Sequence, residues 1–471
     1  MDPFEEFFGD PSDNILIQRF ERMMAAKEFS FFDVEDLEEL FDYYSLLRKL
    51  DFAFEVVNLA KQQHPYTSIF KIREAEIFIL KNDFNKALQV LNRVEPEVSS
   101  FPEFYLAKAQ IFGKQKLHHK AIYNLKKALD CGGEDQENLH IQLAHEYHHV
   151  GEMAKAKKEL QHFLRKAEYP EDALFEISNF FEFNDLSKDG ISFLHSFLDD
   201  QPYSSVGWYN LGNLYSSNEE FEKAIEAFDY AAVCDENFSS AYFNKANILA
   251  KLNRHAEAIE TYKLTLEYEE PSALTYYYIG ECHESSEEYE EAYTYYYKAI
   301  KCDPAYADAW IGIGISLDHL DRLSEGIHYI KKAISLDHDN ADYWYVLAEI
   351  ERKLGFLDEA KFAFEKVIEL NEFNSEVYLD YSAMYFANEM MNEALDIISK
   401  GIRLHPSDPD LYYRMSAYLF KMNYDSDAED FLVTVLDMEP KSVSKMLAFS
   451  PDLAKNERII ALIEERGLDL E

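Results

Sequence analysis

Residues Ser205–Phe238 read SVGWYNLGNLYSSNEEFEKAIEAFDYAAVCDENF, and their spacing decides the fold. Trp208, Leu211 and Tyr215 stand three and four apart in the first half, as do Ala224, Phe228 and Ala231 in the second, so each half forms one apolar helical face. The small residues Gly212, Ala224 and Ala231 let two such helices approach closely. A hairpin of this size cannot bury its own apolar face, so it must stack on copies of itself.

The register recurs along the chain. Steps of 34 from Trp208 meet Tyr242, Tyr276, Trp310, Trp344, Tyr378 and Tyr412. The same steps from Ala224 meet Gly190 and Ala156 on one side and Ala258, Ala292, Gly326, Ala360, Ala394 and Ala428 on the other. With one residue inserted near Gly132 and Gly133, Ala121, Ala87 and Ala53 continue the series. At ordinary frequencies of Gly and Ala the odds of such a run by chance are on the order of 10⁻¹⁰. Twelve repeats therefore run from 34 to 442, with 102–136 one residue longer than the rest. The second-helix core position stays apolar from Val57 to Leu432, and Pro65, Pro202, Pro304, Pro406 and Pro440 close second helices that proline cannot continue. The first four repeats fit least well, with Lys71 and His140 in place of an aromatic and Phe41 in place of a small residue.

The order W-x-x-L-G-x-x-Y, then A-x-x-x-F-x-x-A, resembles the tetratricopeptide repeat, a helix-turn-helix unit of 34 residues. The stretch FDVEDLEELFDYY at 32–44 is similar to bacterial members of that family. The resemblance covers about nine-tenths of the chain. It implies an all-α fold, a right-handed superhelix of about twelve helix pairs, with first helices lining the concave side and second helices the convex side. Residues 1–33 are expected to form an acidic tail (1–11) and a capping helix started by Ser12 or Asp13. Residues 443–471 are expected to cap the other end, because Leu462 breaks the Ala/Gly register and Pro451 cuts the segment.

Net charge is −43, so no basic face exists to neutralise phosphates, and neither nucleic acid nor an anionic membrane is expected as a partner. Most of the aromatic content, 33 Tyr and 35 Phe, is absorbed by repeat core positions. Four scattered cysteines (Cys131, Cys234, Cys282, Cys302) without a C-x-x-C suit a reducing compartment. The acidic start MDPFEEFFGDPSDN is not a secretory signal, and no apolar run approaches 18 residues, so a soluble cytoplasmic protein is expected.

In the family, ligand contacts come from the fifth and ninth residues of first helices. Here the fifth positions include Ile72, Phe175, Tyr209, Phe243, Tyr277, Ile311, Tyr345 and Tyr413, an apolar and aromatic stripe. Ninth positions include Gln110, Asn179, Asn213 and Asn247, followed by Glu281 and Glu349. An amide donates and accepts at once, so such a ladder can pair with a peptide backbone of any sequence, similar in kind to asparagine ladders elsewhere in the family. The expected site is thus Phe175, Asn179, Tyr209, Asn213, Phe243, Asn247, Tyr277, Glu281, Tyr345 and Tyr413, and its acidic rim favours a basic or amphipathic protein or peptide. The competing reading has the fifth-position residues packing between neighbouring first helices. The family's clamp for acidic chaperone tails is not matched: Tyr209 and Tyr277 stand where its lysines belong, and Glu281 where its arginine belongs.

The other motif is His145-Glu146-Tyr147-His148-His149, an H-E-x-x-H that binds zinc in some hydrolases. Tyr147 is a repeat core position, and no third ligand announces itself beyond Asn179, Glu182 or His140. Phosphate-binding glycine motifs and a G-x-S-x-G elbow are absent. The expected function is a non-catalytic scaffold without cofactors, with a zinc hydrolase or a structural subunit of a larger assembly as alternatives.

Overall fold

The computed structural model describes residues 15–26, 29–132, 136–371, 374–439 and 443–466. The expected tail 1–11, the capping Ser12 or Asp13, Gly133 and Pro440 lie outside the described residues. Among the described residues the structure is all-α. It divides into two units, residues 1–227 and 228–471.

In the first unit, helix Ile15–Ala26 precedes the pairs Val34–Leu46 with Leu50–Gln63, Ile69–Leu80 with Phe84–Val98, and Pro102–Lys114 with His118–Cys131. Gln136–His149 with Met153–Lys166, Pro170–Phe183 with Ser187–Asp200, and helix Ser205–Ser217 continue the series. Phe20 of the leading helix is fully buried against Phe32 and Tyr44, with ring centroids 6.1 and 5.6 Å away. Phe41, out of pattern in the sequence, is also buried and lies beneath the Arg73 guanidinium.

The second unit pairs Ser239–Lys251 with His255–Tyr268, Ala273–Ser285 with Tyr289–Cys302, and Ala307–His319 with Leu323–Leu336. Ala341–Lys353 with Leu357–Leu370, Glu376–Ala387 with Met391–Leu404, and Pro409–Lys421 with Asp425–Met438 follow. Helix Val443–Phe449, a 3₁₀ turn Pro451–Lys455 and helix Glu457–Glu465 end it, and Met446, Leu453, Ile459 and Ile463 join the core of the last pairs.

Why each pair turns where it does is visible in the backbone. The linking residue is left-handed at Arg48, Asn82, Lys116, Gly151, Asp185 and Glu219, and again at Asn253, Glu287, Asp321, Gly355, Glu389 and Asn423. These positions keep the 34-residue step, with 35 only across the insertion that also holds left-handed Gly132. A left-handed L-residue costs roughly 1–2 kcal/mol, and the turn offsets it by capping orphan carbonyls. Asp83 N–H to Phe78 O at 2.8 Å and Glu288 N–H to His283 O at 2.9 Å are such bonds.

The Ala/Gly position is buried in every repeat, at the crossing of the two helices. The leading aromatic has a second task. Trp208, Trp310 and Trp344 donate their indole N–H to the carbonyls of Pro202, Pro304 and His338, at 2.8 to 3.0 Å, and Tyr412 donates its hydroxyl to Pro406 at 3.0 Å. Each ring thereby pins its helix to the loop six residues earlier. His140 uses a different device, an Nδ1 contact of 2.8 Å to Glu159 Oε2, and Lys71 pairs with Glu97.

Several bonds between successive first helices share one spacing. Tyr343 donates to Asp308, Tyr345 to Asp380, Lys353 to Asp318 and Arg414 to the Leu379 carbonyl, each across 35 residues. Neighbouring pairs within a unit therefore stack with one residue of offset per repeat.

Candidate functional site

The fifth-position side chains divide into two classes. Ile72 and Ile311 are buried. Tyr413, expected at the site, is only 1% exposed, and its hydroxyl donates to the Glu439 carbonyl at 2.8 Å, so it is a core residue with nothing to offer a ligand. It belongs to the same buried cluster as Leu453 and Ile459 of the terminal segment.

Phe175 and Tyr209 behave differently. Phe175 is 36% exposed, Tyr209 is half-buried, and the rings meet edge to face at 5.9 Å. One helical turn further on, Asn179 is exposed and Asn213 half-buried. The structure therefore brings two aromatics and two amides onto adjacent first helices of the first unit.

In the second unit the ladder is partly engaged within the fold. Phe243 is half-buried between Tyr262 and Tyr278, at 5.6 and 5.7 Å, and Asn247 accepts a bond of 2.5 Å from the Tyr262 hydroxyl. Tyr277 packs on Tyr296 and Tyr306 and donates to Glu281 at 2.8 Å. Tyr345 donates to Asp380 at 2.5 Å. Tyrosine hydroxyls, not cations, satisfy these carboxylates. The pairing was not anticipated from sequence; the signal that would have found it is a tyrosine and a carboxylate 35 residues apart, or four apart on one helix.

Burial is the main cause that pushes the carboxyls of Glu281, Glu284 and Asp380 above the usual carboxylate range. A carboxyl raised in the folded chain binds its proton more tightly there than when unfolded. Its contribution to stability is complete below the unfolded value and is lost as pH rises through the folded one. Carboxyls held low by partners, Asp83, Glu220, Glu257 and Glu325, lie at the surface, where such pairs add little. The thermal midpoint should therefore rise as pH falls from about 8 to about 5, and the rise should persist in about 0.5 M salt, which screens the net charge. Calorimetry across that interval checks it; a midpoint that falls would show the surface pairs to dominate.

The H-E-x-x-H residues do not assemble into a metal centre. His118 Nδ1 bonds Glu146 Oε2 at 2.9 Å, and its ring lies 4.7 Å from His149. His145 stands edge-on to Phe180 at 4.8 Å, and burial lowers its basicity. Of the third ligands considered, His140 pairs with Glu159, and Glu182 accepts from Ser217. Among the described residues no three His, Cys, Asp or Glu side chains are grouped to hold a metal ion. Nor is any helix among them long and apolar enough to cross a membrane.

Residues 209–271 match one family model described as tetratricopeptide repeat, and residues 273–306 and 341–374 match a second of the same description. No curated protein matches the chain. Among solved structures, one titled "YrrB: a TPR protein with an unusual peptide-binding site" is 19% identical, covering 39% of this chain and 95% of its own, with a TM-score of 0.35. PilF of Pseudomonas aeruginosa is 18% identical over 43% of this chain and 93% of its own, with a TM-score of 0.37. The APC/C hetero-tetramer Cut9–Hcn1 is 14% identical over 87% of this chain and 95% of the matched one, with a TM-score of 0.38.

Proposed function

This chain is a tetratricopeptide repeat protein, and on that premise we propose that it is a non-catalytic scaffold that holds a protein segment along its first helices. The observation that carries the reading is the pair Phe175 and Tyr209, aromatic rings left partly open to solvent beside Asn179 and Asn213. Open aromatic faces supply apolar contact, and the amides supply backbone pairing for an extended segment. In the second unit Phe243, Asn247, Tyr277, Glu281 and Tyr345 stand at the equivalent positions and would extend the same face. Carboxyl groups bonded by tyrosine hydroxyls, such as Glu281 and Asp380, support a basic or amphipathic segment. Four free thiols suit a reducing compartment, and we place the protein in the cytoplasm.

The test is capture of partners from an extract of the source cells by the full chain and by a Phe175→Ser, Tyr209→Ser variant. A Phe183→Ser variant, altering a side chain 87% exposed at a helix end, is the control. The double variant should lose its partners by about tenfold or more, with helicity by circular dichroism unchanged. Equal recovery by all three chains would sink the reading.

A further inference from the structure

The first unit holds a cleft of about 860 Å³ away from the aromatic pair just described. It opens at the ends of two successive second helices, Met153–Lys166 and Ser187–Asp200, beside the start of helix Pro170–Phe183. Leu164, Leu174, Phe193 and Phe197 form its floor. Leu174 and Phe193 are buried in the unit, whereas Leu164 and Phe197 are only half-covered. A volume of this size with an apolar floor is that of a ligand cleft.

Two features of its rim have no explanation in the fold. Tyr169 and Tyr203 stand 34 residues apart in the turns after the two second helices, 65% and 87% exposed. The same turn position is aromatic also at Tyr66 and Phe373, but it is Ser100, Asn237, Pro271, Ala305, Asp339 and Ser407 elsewhere, so the repeat does not require an aromatic there. The charge is also one-sided. Glu168, Glu171, Asp172 and Asp200 face the cleft with Arg165 as the one basic side chain among its lining residues. Among the described residues, Glu171, Asp172 and Asp200 form no ion pair. Asp199 and Asp200 further sit at a helix C-terminus whose last turn has no basic residue, where negative charge is disfavoured.

We propose that this cleft is a second docking site, taking a basic segment of a partner in which arginine or lysine alternates with an apolar side chain. The apolar side chains enter against Phe193 and Phe197, the cations meet the four carboxylates, and the tyrosine faces add cation–π contact. The charge of the rim excludes an acidic segment. The site stands on its own residues and does not depend on the aromatic and amide face of the first helices.

The experiment uses the full chain and a fluorescein-labelled Arg-Leu-Arg-Leu-Arg-Leu peptide, followed by fluorescence anisotropy. Asp200→Lys should weaken binding about tenfold and Tyr203→Ala about fivefold. Glu55→Lys, the same charge change outside the cleft, should stay within about twofold, and Phe175→Ser with Tyr209→Ser measures any share of the peptide taken by the first-helix face instead. All altered side chains except Tyr209 are exposed, and unchanged circular dichroism shows that the fold is retained. Equal loss in Glu55→Lys and Asp200→Lys would overturn the proposal, because the peptide would then follow net charge alone. So would loss confined to the Phe175 and Tyr209 variant. A wild-type dimer in sedimentation that Tyr203→Ala dissolves would replace the peptide by a second copy of the chain and overturn it as well.

Discussion

Tyr296→Ala should cost the helices from Ala273 to His319 about 3–5 kcal/mol, the range for emptying a buried aromatic site. Its ring lies in a slot made by two glycines of successive first helices. A methyl group at Gly280 would stand 2.7 Å from the ring, and one at Gly312 2.6 Å, so backbone touches it on both sides. The hydroxyl donates to Glu284 at 2.7 Å, and Tyr277 packs at 5.6 Å. Truncation therefore opens a cavity and leaves Glu284 without its donor. Tyr296→Phe, which keeps the ring, should lose only about 1 kcal/mol. Stacked repeats can open locally, so the measure is hydrogen exchange of amides 273–319 under mild denaturant, alongside global unfolding. A loss below about 1 kcal/mol for the alanine variant would mean that the slot collapses and the packing account is wrong.

Gly190→Ala should destabilise the first unit by about 2–3 kcal/mol, whereas Gly326→Ala, the same change at the same repeat position, should stay within about 1 kcal/mol of neutral. Most repeats carry alanine there, so the pattern alone favours both changes, and alanine is the better helix former by about 1 kcal/mol. The surroundings differ. A methyl group at Gly190 would lie 2.6 Å from Leu214 Cδ1 and 2.8 Å from Phe181 Cβ, and the Cβ of a buried phenylalanine cannot swing aside. At Gly326 the nearest atom is the Gly314 carbonyl oxygen at 3.2 Å, which a small helix shift relieves. Chemical denaturation of both variants checks the contrast, and equal outcomes would show that helix propensity outweighs contact.

The helical register and the buried small residues were legible because they repeat: Ala53 through Ala428 sit at crossings whose geometry admits little else. The hydrogen-bonding side of the leading aromatics was not legible, since an indole serves packing and donation with the same letter. The candidate face divides in the structure. Phe175 is partly exposed and Tyr209 half-buried, whereas Tyr413 is buried with its hydroxyl on the Glu439 carbonyl, a difference that the repeat pattern, with an aromatic at all three positions, does not encode. Tyrosine–carboxylate pairs escaped for a statistical reason: with 33 tyrosines and 89 acidic residues, many such spacings occur without contact.

The 35-residue spacing of the bonds between first helices carries a kinetic meaning. Each closes a loop little longer than one hairpin, so none of these bonds waits for a remote part of the polypeptide to be made. A nascent chain leaving the ribosome can settle one hairpin against the last while synthesis continues, and the time to reach the native state should scale with the slowest neighbouring step, not with the length of the molecule.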